Sequence, residues 1–228
     1  DLTGTSIPRA YTFSWNDELI AQSKFRNIAI SASEGVAKKL YTQVKGIPLV
    51  IYNPSGHTRT EIVDAWVPMS EKPRAAAVFG PDGKAVKSQT VGYSDGKLHI
   101  AFAATVGSVG YAVYDLRTSG GKEGTALKAT ASTLENGIYK VTLDSVGDIC
   151  SIVDKRNGKE LVASGKSFRL ALFTENRSTA WPAWEILKET IDREPTAITD
   201  NVAVSVEELG AVRATLKVSR SYGESRFV

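Results

Sequence analysis

The amino-acid sequence predicts a mainly β fold, with one N-terminal helix followed by antiparallel β-sandwich domains, the second of them truncated. Apolar residues recur at helical spacing near the N-terminus, and from residue 49 onward short β-branched and aromatic runs alternate with turn dipeptides. A glycine-containing loop at 119–124 divides these runs into two groups. We therefore expect a helical segment at 1–46, a small β-sandwich at 47–118 and the start of a larger antiparallel sandwich at 125–228.

The helix is expected over 14–42, where glycine and proline are absent except for Gly35. Ser14 is the predicted N-cap, because the acidic residues after it suit the positive end of the helix dipole. The helix should end before Gly46, since glycine terminates helices and Pro48 cannot continue one. One face is apolar and must pack against the sheet or against a helix outside this chain. That face consists of Phe25, Ile28, Ala29, Ala32, Val36 and Leu40.

The first β group begins with a strand at 49–52, and the run at 60–67 is its expected partner. Two further hairpins are predicted at Asp82-Gly83 and Asp95-Gly96, because Asp-Gly pairs supply the positive backbone angles of tight turns. The last strand of the group should lie at 110–116.

The second β group opens with an alternating strand at 134–143, in which Tyr139, Val141 and Leu143 share one face. A turn at Gly147 leads into a strand at 149–153. Further strands are expected at 160–162 and 168–173, and a hairpin is expected from 203–207 and 211–220.

Composition excludes several classes of protein. Among the 228 residues, 42% are hydrophobic and 23% are charged, which is ordinary for a globular chain. The net charge is only +3 and the charges are scattered, so we expect no nucleic acid partner and no membrane partner. Cys150 is the only cysteine, which excludes an intrachain disulfide and a cysteine-based zinc site. The compartment stays open, and a bacterial periplasmic or cytoplasmic location is equally compatible.

The sequence assigns no catalytic and no metal-binding residue. His57 and His99 fall in separate β segments without a carboxylate at ligand spacing, whereas zinc needs three or four convergent ligands. Paired carboxylates can hydrolyse glycosides, but Asp144, Asp148 and Asp154 coincide with turns, where aspartates bond their own backbone. The nucleophile motif Gly-x-Ser-x-Gly and the zinc motif His-Glu-x-x-His are absent.

Trp181 and Trp184 are the candidate substrate-binding residues. Two indoles lie within four residues, outside any regular strand pattern. An indole stacks on the apolar face of a sugar ring and carries one hydrogen-bond donor. The alternative interpretation, which is the more common use of such residues, is that they fill an interdomain core.

Three stretches resemble the family 38 glycoside hydrolases, the retaining α-mannosidases. Residues 1–6, Asp-Leu-Thr-Gly-Thr-Ser, resemble the tail of the family's His-Asp-x-hydrophobic-Thr-Gly-Thr motif, which a helix follows. Residues 134–141 and 147–155 are similar to the segment that opens the large β-domain of these enzymes. Residues 181–186, Trp-Pro-Ala-Trp-Glu-Ile, are similar to the family's Asp-Ala-Trp-Glu/Asp-Ile stretch, with Pro182 where an aspartate commonly stands.

The resemblance implies that 1–46 is the end of a helical middle domain. It also implies that the catalytic aspartate and three metal ligands lie in a separate N-terminal domain, with the fourth ligand a histidine just upstream of Asp1. The parent enzyme would then use zinc or another divalent metal, with none bound by this fragment. Its substrate would be a mannose-containing glycan, and the partner of the fragment would be the catalytic domain of the same chain.

We therefore expect a non-catalytic β-domain fragment of a retaining, metal-dependent α-mannosidase, inactive on its own. The alternative is a free-standing carbohydrate-binding or adhesion β-sandwich module. A third hypothesis is a small hydrolase that is catalytically active by itself.

Overall fold

The computed structural model describes residues 7–119, 124–173, 175–181 and 184–228. Antiparallel sheets are the main regular structure of the described chain, and one long helix precedes them, so the predicted fold class is confirmed. The predicted loop at 119–124 lies mostly outside the described residues. No helix within the described ranges is both long and apolar enough to cross a membrane.

Helix α1 spans Pro8–Ala37 and begins six residues before the predicted start. The predicted cap is wrong: Ile7 is the N-cap and makes no side-chain capping bond, while the Ser14 hydroxyl donates to Glu18 inside the helix, at 3.1 Å. Proline favours the first helical position because its φ is already helical and its missing N–H is not needed there. Pro8 therefore sets the start, and the acidic residues lie beyond the first turn.

The apolar face of α1 is not covered by the rest of the described chain. None of the helix residues is buried, and Phe25, Ile28 and Val36 of the predicted face are all exposed. The helix is hydrogen-bonded to the β region through the Tyr52 hydroxyl, which donates to the Ser33 carbonyl oxygen at 3.0 Å. Of the two partners expected for this face, the sheet does not cover it, and the helix outside this chain stays a prediction.

The first β region consists of two antiparallel sheets that enclose an apolar core. One sheet has the order β1-β7-β3-β4 and the other the order β2-β6-β5. The largest fully buried side chains here are Phe102, Leu98 and Ile100 of the second sheet and Leu116 and Val78 of the first. The strands are β1 (Ile47–Asn53), β2 (Arg59–Pro68), β3 (Ala77–Phe79), β4 (Ala85–Val86), β5 (Ser88–Ser94), β6 (Lys97–Val106) and β7 (Gly110–Arg117).

The predicted pairing of the first two strands is wrong. Strand β1 pairs with β7, whereas β2 pairs with β6 in the other sheet. The connection is held by the buried Asn53, whose amide donates to the carbonyl oxygens of His57 (2.8 Å), Val106 (3.1 Å) and Gly107 (2.9 Å). The segment after Asn53 is therefore a corner between sheets and not a hairpin.

The two Asp-Gly hairpins are confirmed. Gly83 has a φ of +76° between β3 and β4, and Asp95 and Gly96 have φ values of +52° and +68° between β5 and β6. Both turns thus use the left-handed backbone region that these residue types tolerate.

The second β region contains a five-stranded sheet of order β12-β11-β10-β9-β8, a three-stranded sheet β15-β16-β17 and a separate pair β13-β14. Its elements are β8 (Lys128–Thr130), β9 (Thr133–Glu135), β10 (Tyr139–Leu143), β11 (Ile149–Asp154), β12 (Lys159–Glu160), β13 (Ala171–Leu172), α2 (Lys188–Ile191), β14 (Thr196–Ala197), β15 (Asp200–Leu209), β16 (Ala214–Tyr222) and β17 (Ser225–Phe227).

The single strand predicted at 134–143 is in fact two strands, β9 and β10. The Asn136 side-chain oxygen accepts hydrogen bonds from the backbone N–H groups of Ile138 (2.8 Å) and Tyr139 (2.7 Å), which turns the chain. The predicted late hairpin is confirmed as β15 and β16, with β15 longer than expected and β16 shifted towards the C-terminus.

A buried ion pair joins the two larger sheets of the second β region. Arg220 on β16 and Asp148, just before β11, lie 2.6 Å apart between Nη1 and Oδ1, with both side chains almost fully buried. The neighbouring Gly147 has a φ of +77°, and a Cβ added there would lie 2.7 Å from Val218 Cγ1. Glycine at 147 therefore allows the backbone before β11 to lie close to Val218 on β16, which brings Asp148 within reach of Arg220.

Replacing Gly147 with alanine should destabilise the chain more than the same change at Gly158. Both glycines have positive φ, but nothing lies within 4 Å of the position that a Cβ would take at Gly158. Gly158→Ala should cost about 1 kcal/mol from the backbone alone, and Gly147→Ala should cost about 1–3 kcal/mol more from overpacking. Urea unfolding of the two variants measures the difference, and equal losses would contradict the close packing at Gly147.

Candidate functional site

The segment around Trp181 and Trp184 presents two indole rings to solvent. Their centroids lie 6.3 Å apart with an interplanar angle of 48°. Trp181 is 63% exposed and Trp184 is 56% exposed, so neither ring fills a core formed by the described residues. The backbone is turned here, because the Trp184 and Glu185 N–H groups both donate to the Trp181 carbonyl oxygen, at 2.9 and 3.1 Å.

Asn176 and Ser178 hold this segment in place. The Asn176 amide donates to the Glu185 carbonyl oxygen at 2.6 Å, and its side-chain oxygen accepts from the Leu187 N–H at 3.1 Å. The Ser178 hydroxyl donates to the Glu185 carboxylate and accepts from the Trp181 N–H at 3.1 Å. The sequence analysis missed these two anchors, because polar residues in a loop carry no periodic signal.

The arrangement can bind a sugar ring but contains no visible catalytic pair. Two indoles that are tilted toward each other offer apolar faces for stacking, and the Glu185 carboxylate beside them can accept hydrogen bonds from hydroxyl groups. We name Trp181, Trp184 and Glu185 the indole platform. Nothing in the structure tests its occupancy, so its substrate-binding role stays a prediction.

Asp144 and Asp154 bond the backbone of their own turns, as predicted. The same prediction is wrong for Asp148, whose side chain is buried and pairs with Arg220. The Asp144 side chain accepts from the N–H groups of Val146 (3.0 Å) and Asp148 (2.9 Å). The Asp154 carboxylate pairs with the Arg156 guanidinium at 2.7 Å, and this contact holds the pKa of Asp154 below its usual value. A carboxylate with a lowered pKa does not serve as a general acid near neutral pH.

His99 has a partner that the sequence did not indicate. Its Nε2 lies 2.6 Å from Asp64 Oδ1, and its ring stacks on Trp66 at 3.9 Å between centroids. Cross-strand register brings them together, because Trp66 lies opposite His99 in the β2–β6 ladder. Within the described ranges, no three His, Cys, Asp or Glu side chains lie together as a metal site requires. The described residues therefore do not fit the metal that the family implies.

Comparison with known proteins identifies the second β region. Residues 134–228 match the sequence model of the glycosyl hydrolases family 38 C-terminal domain. This part of the chain, which is less than half of its length, is similar to the C-terminal domain of glycoside hydrolase family 38. The resemblance stated from the sequence is thereby confirmed. No curated protein matches the chain significantly.

Solved structures extend the likeness in fold beyond the family 38 region. An alpha-mannosidase from Enterococcus faecalis V583 matches over 95% of this chain with a TM-score of 0.61 and 20% identity. A protein in glycosyl hydrolase family 38 from Enterococcus faecalis matches over 76% of this chain with a TM-score of 0.46 and 24% identity. The chain spans 28% of the first structure and 24% of the second. The first comparison shows a shared fold across nearly the whole chain.

Removing the Asn176 side chain should loosen the indole platform. In Asn176→Ala the Leu187 N–H loses its acceptor, and one lost hydrogen bond of about 1–1.5 kcal/mol corresponds to roughly tenfold faster local exchange. Hydrogen exchange at the Leu187 amide measures this change. Arg177→Ala is the matched control, because the Arg177 guanidinium pairs only with the exposed carboxylate of Glu175 among the bonds described, at 3.3 Å. Equal exchange rates in both variants would contradict the anchoring role.

Proposed function

We propose that this chain is a non-catalytic β portion of a retaining, metal-dependent α-mannosidase that hydrolyses α-mannosides of glycans. Its role is architectural, since it supports a catalytic domain that belongs to the same enzyme. The observation that carries the proposal is the family 38 C-terminal domain match over 134–228. The shared fold with the Enterococcus faecalis alpha-mannosidase over 95% of the chain adds support.

The chemistry of the described residues agrees with a supporting role. Retaining glycosidases place two carboxyl groups about 5–5.5 Å apart, one of them as nucleophile and the other as acid and base. Asp144 and Asp154 are bound to their own turns, and Asp148 is paired inside the fold with Arg220. Zinc or another divalent metal would be held by residues of the catalytic domain, which also bind the glycan.

The purified chain should not hydrolyse an aryl α-mannoside. We expect release of the aryl alcohol to stay at the background rate with and without added zinc, because we propose that the carboxyl pair and the metal ligands belong to the catalytic domain. Absorbance of the released phenolate measures turnover. Zinc-dependent turnover above background, retained through repeated purification, would overturn the proposal.

The exposed indole platform favours a second candidate, a carbohydrate-binding β-sandwich module. A module of this kind binds mannosides without help from another domain, whereas a purely supporting fragment does not. Trp181 and Trp184 would stack on the sugar, and the Glu185 carboxylate would accept hydrogen bonds from its hydroxyl groups.

Titration of the chain with methyl α-mannoside and an α-linked mannobiose separates the two candidates. If the module interpretation is right, tryptophan fluorescence changes with sugar concentration and reaches saturation. The affinity then falls about two- to tenfold in Trp181→Ala and in Trp184→Ala, since a stacked aromatic contributes about 0.5–1.5 kcal/mol. Trp15→Ala is the matched control, because Trp15 is an equally exposed indole on α1. If tryptophan fluorescence shows no saturable change at millimolar sugar, the chain is not a carbohydrate-binding module.

A further inference from the structure

The turn between β15 and β16 is built around a side chain from the first β region. Gln89 lies on β5, and its carboxamide oxygen accepts hydrogen bonds from the N–H groups of Val212 and Arg213, both at 2.9 Å. Its amide nitrogen donates to Glu208 Oε1 at 2.5 Å. Both ends of one carboxamide are thus satisfied by residues more than a hundred positions later in the chain.

The Gln89 carboxamide fits against the turn only because residue 210 is a glycine. A Cβ at position 210 would lie 2.3 Å from the Gln89 side-chain oxygen, a distance that no side chain can occupy. The turn is closed by the Gly210 N–H, which donates to the Arg213 carbonyl oxygen at 2.9 Å. Gln89 therefore enters a site that only a glycine-containing turn can form.

Arg213 adds a charged bridge beside the carboxamide. Its Nε lies 2.7 Å from Glu208 Oε2, and its Nη1 lies 3.0 Å from Asp64 Oδ2 on β2. Burial acts to raise the pKa of Asp64, but the hydrogen bonds from Arg213 and His99 outweigh it and hold that pKa below its usual value. The carboxylate of Asp64 consequently stays ionised and continues to face the guanidinium at neutral pH.

We propose that Gln89 and the turn at 209–213 form a lock, which fixes the orientation of the second β region on the first so that the two move as one rigid body. The carboxamide, and not the ion pairs of Arg213, fixes this orientation. Ion pairs near the surface contribute only about 0–1 kcal/mol and tolerate many geometries. Two backbone donors that converge on one oxygen define both distance and direction. The lock is independent of the proposed function, since it concerns the coupling between the two β regions.

Loss of the carboxamide should release the lock while both β regions remain folded. In Gln89→Ala we expect at least tenfold faster hydrogen exchange at the Val212 and Arg213 amides, and a larger radius of gyration by small-angle X-ray scattering. Thr90→Ala is the matched control, because Thr90 is an exposed neighbour on the same strand. Circular dichroism checks that strand content is kept. The proposal would be overturned if Gln89→Ala had the same exchange rates at these amides and the same radius of gyration as the wild type.

A rescue experiment keeps the proposal testable if Gln89→Ala fails to fold. Gln89→Glu retains an oxygen that can accept from Val212 and Arg213, but it replaces the donor with a second anion facing Glu208. Adding Glu208→Gln removes that repulsion and restores a donor to the pair. We expect the single variant to show fast exchange at both amides and the double variant to recover most of the protection. No recovery in the double variant would overturn the lock.

Discussion

Arg220 and Asp148 place opposite charges inside the second β region, and the relation between its two larger sheets depends on this contact. Arg220 Nη1 lies 2.6 Å from Asp148 Oδ1, and both side chains are almost fully buried, so water screens this attraction little. Arg220 also donates to the Ile198 carbonyl oxygen at 3.2 Å, which ties the pair to the segment before β15. Leaving one such charge buried without the other costs about 3–5 kcal/mol. Any arrangement of the two sheets that separates Arg220 from Asp148 is therefore less stable by this amount.

The two β regions are stabilised in different ways, and this difference bears on function. In the first, Phe102 and Leu116 are fully buried in the core between the two sheets. The second leaves an open, mainly apolar cleft of about 660 Å³ beside Phe168 and the Arg220 side chain. The family 38 match covers this more open region. Polar contacts of defined geometry fix the orientation of one sheet on another, whereas burial of apolar surface alone does not.

Local features of the fold could be predicted from the sequence, whereas contacts between distant residues could not. The Asp82-Gly83 turn follows from residue types two positions apart, and the irregular Trp181 segment follows from its composition. The partner of β1 depends on Asn53 reaching carbonyl groups more than fifty residues away. The contact between His99 and Asp64 depends on cross-strand register. The alternation of apolar and polar residues along a strand predicts which face of the sheet each side chain lies on. It does not predict which other strand pairs with that strand.

Helix α1 differs from every sheet in what holds it together. Because none of its residues is buried in the described chain, its stability comes chiefly from its own hydrogen bonds and residue preferences and little from packing. Helix formation of this kind is only weakly cooperative with the remainder of a protein, and isolated helices are marginal in water. The helix should therefore unwind at a lower temperature than the sheets, in a transition of its own. A calorimetric trace of this chain would contain two events, and a single melting temperature would describe neither of them.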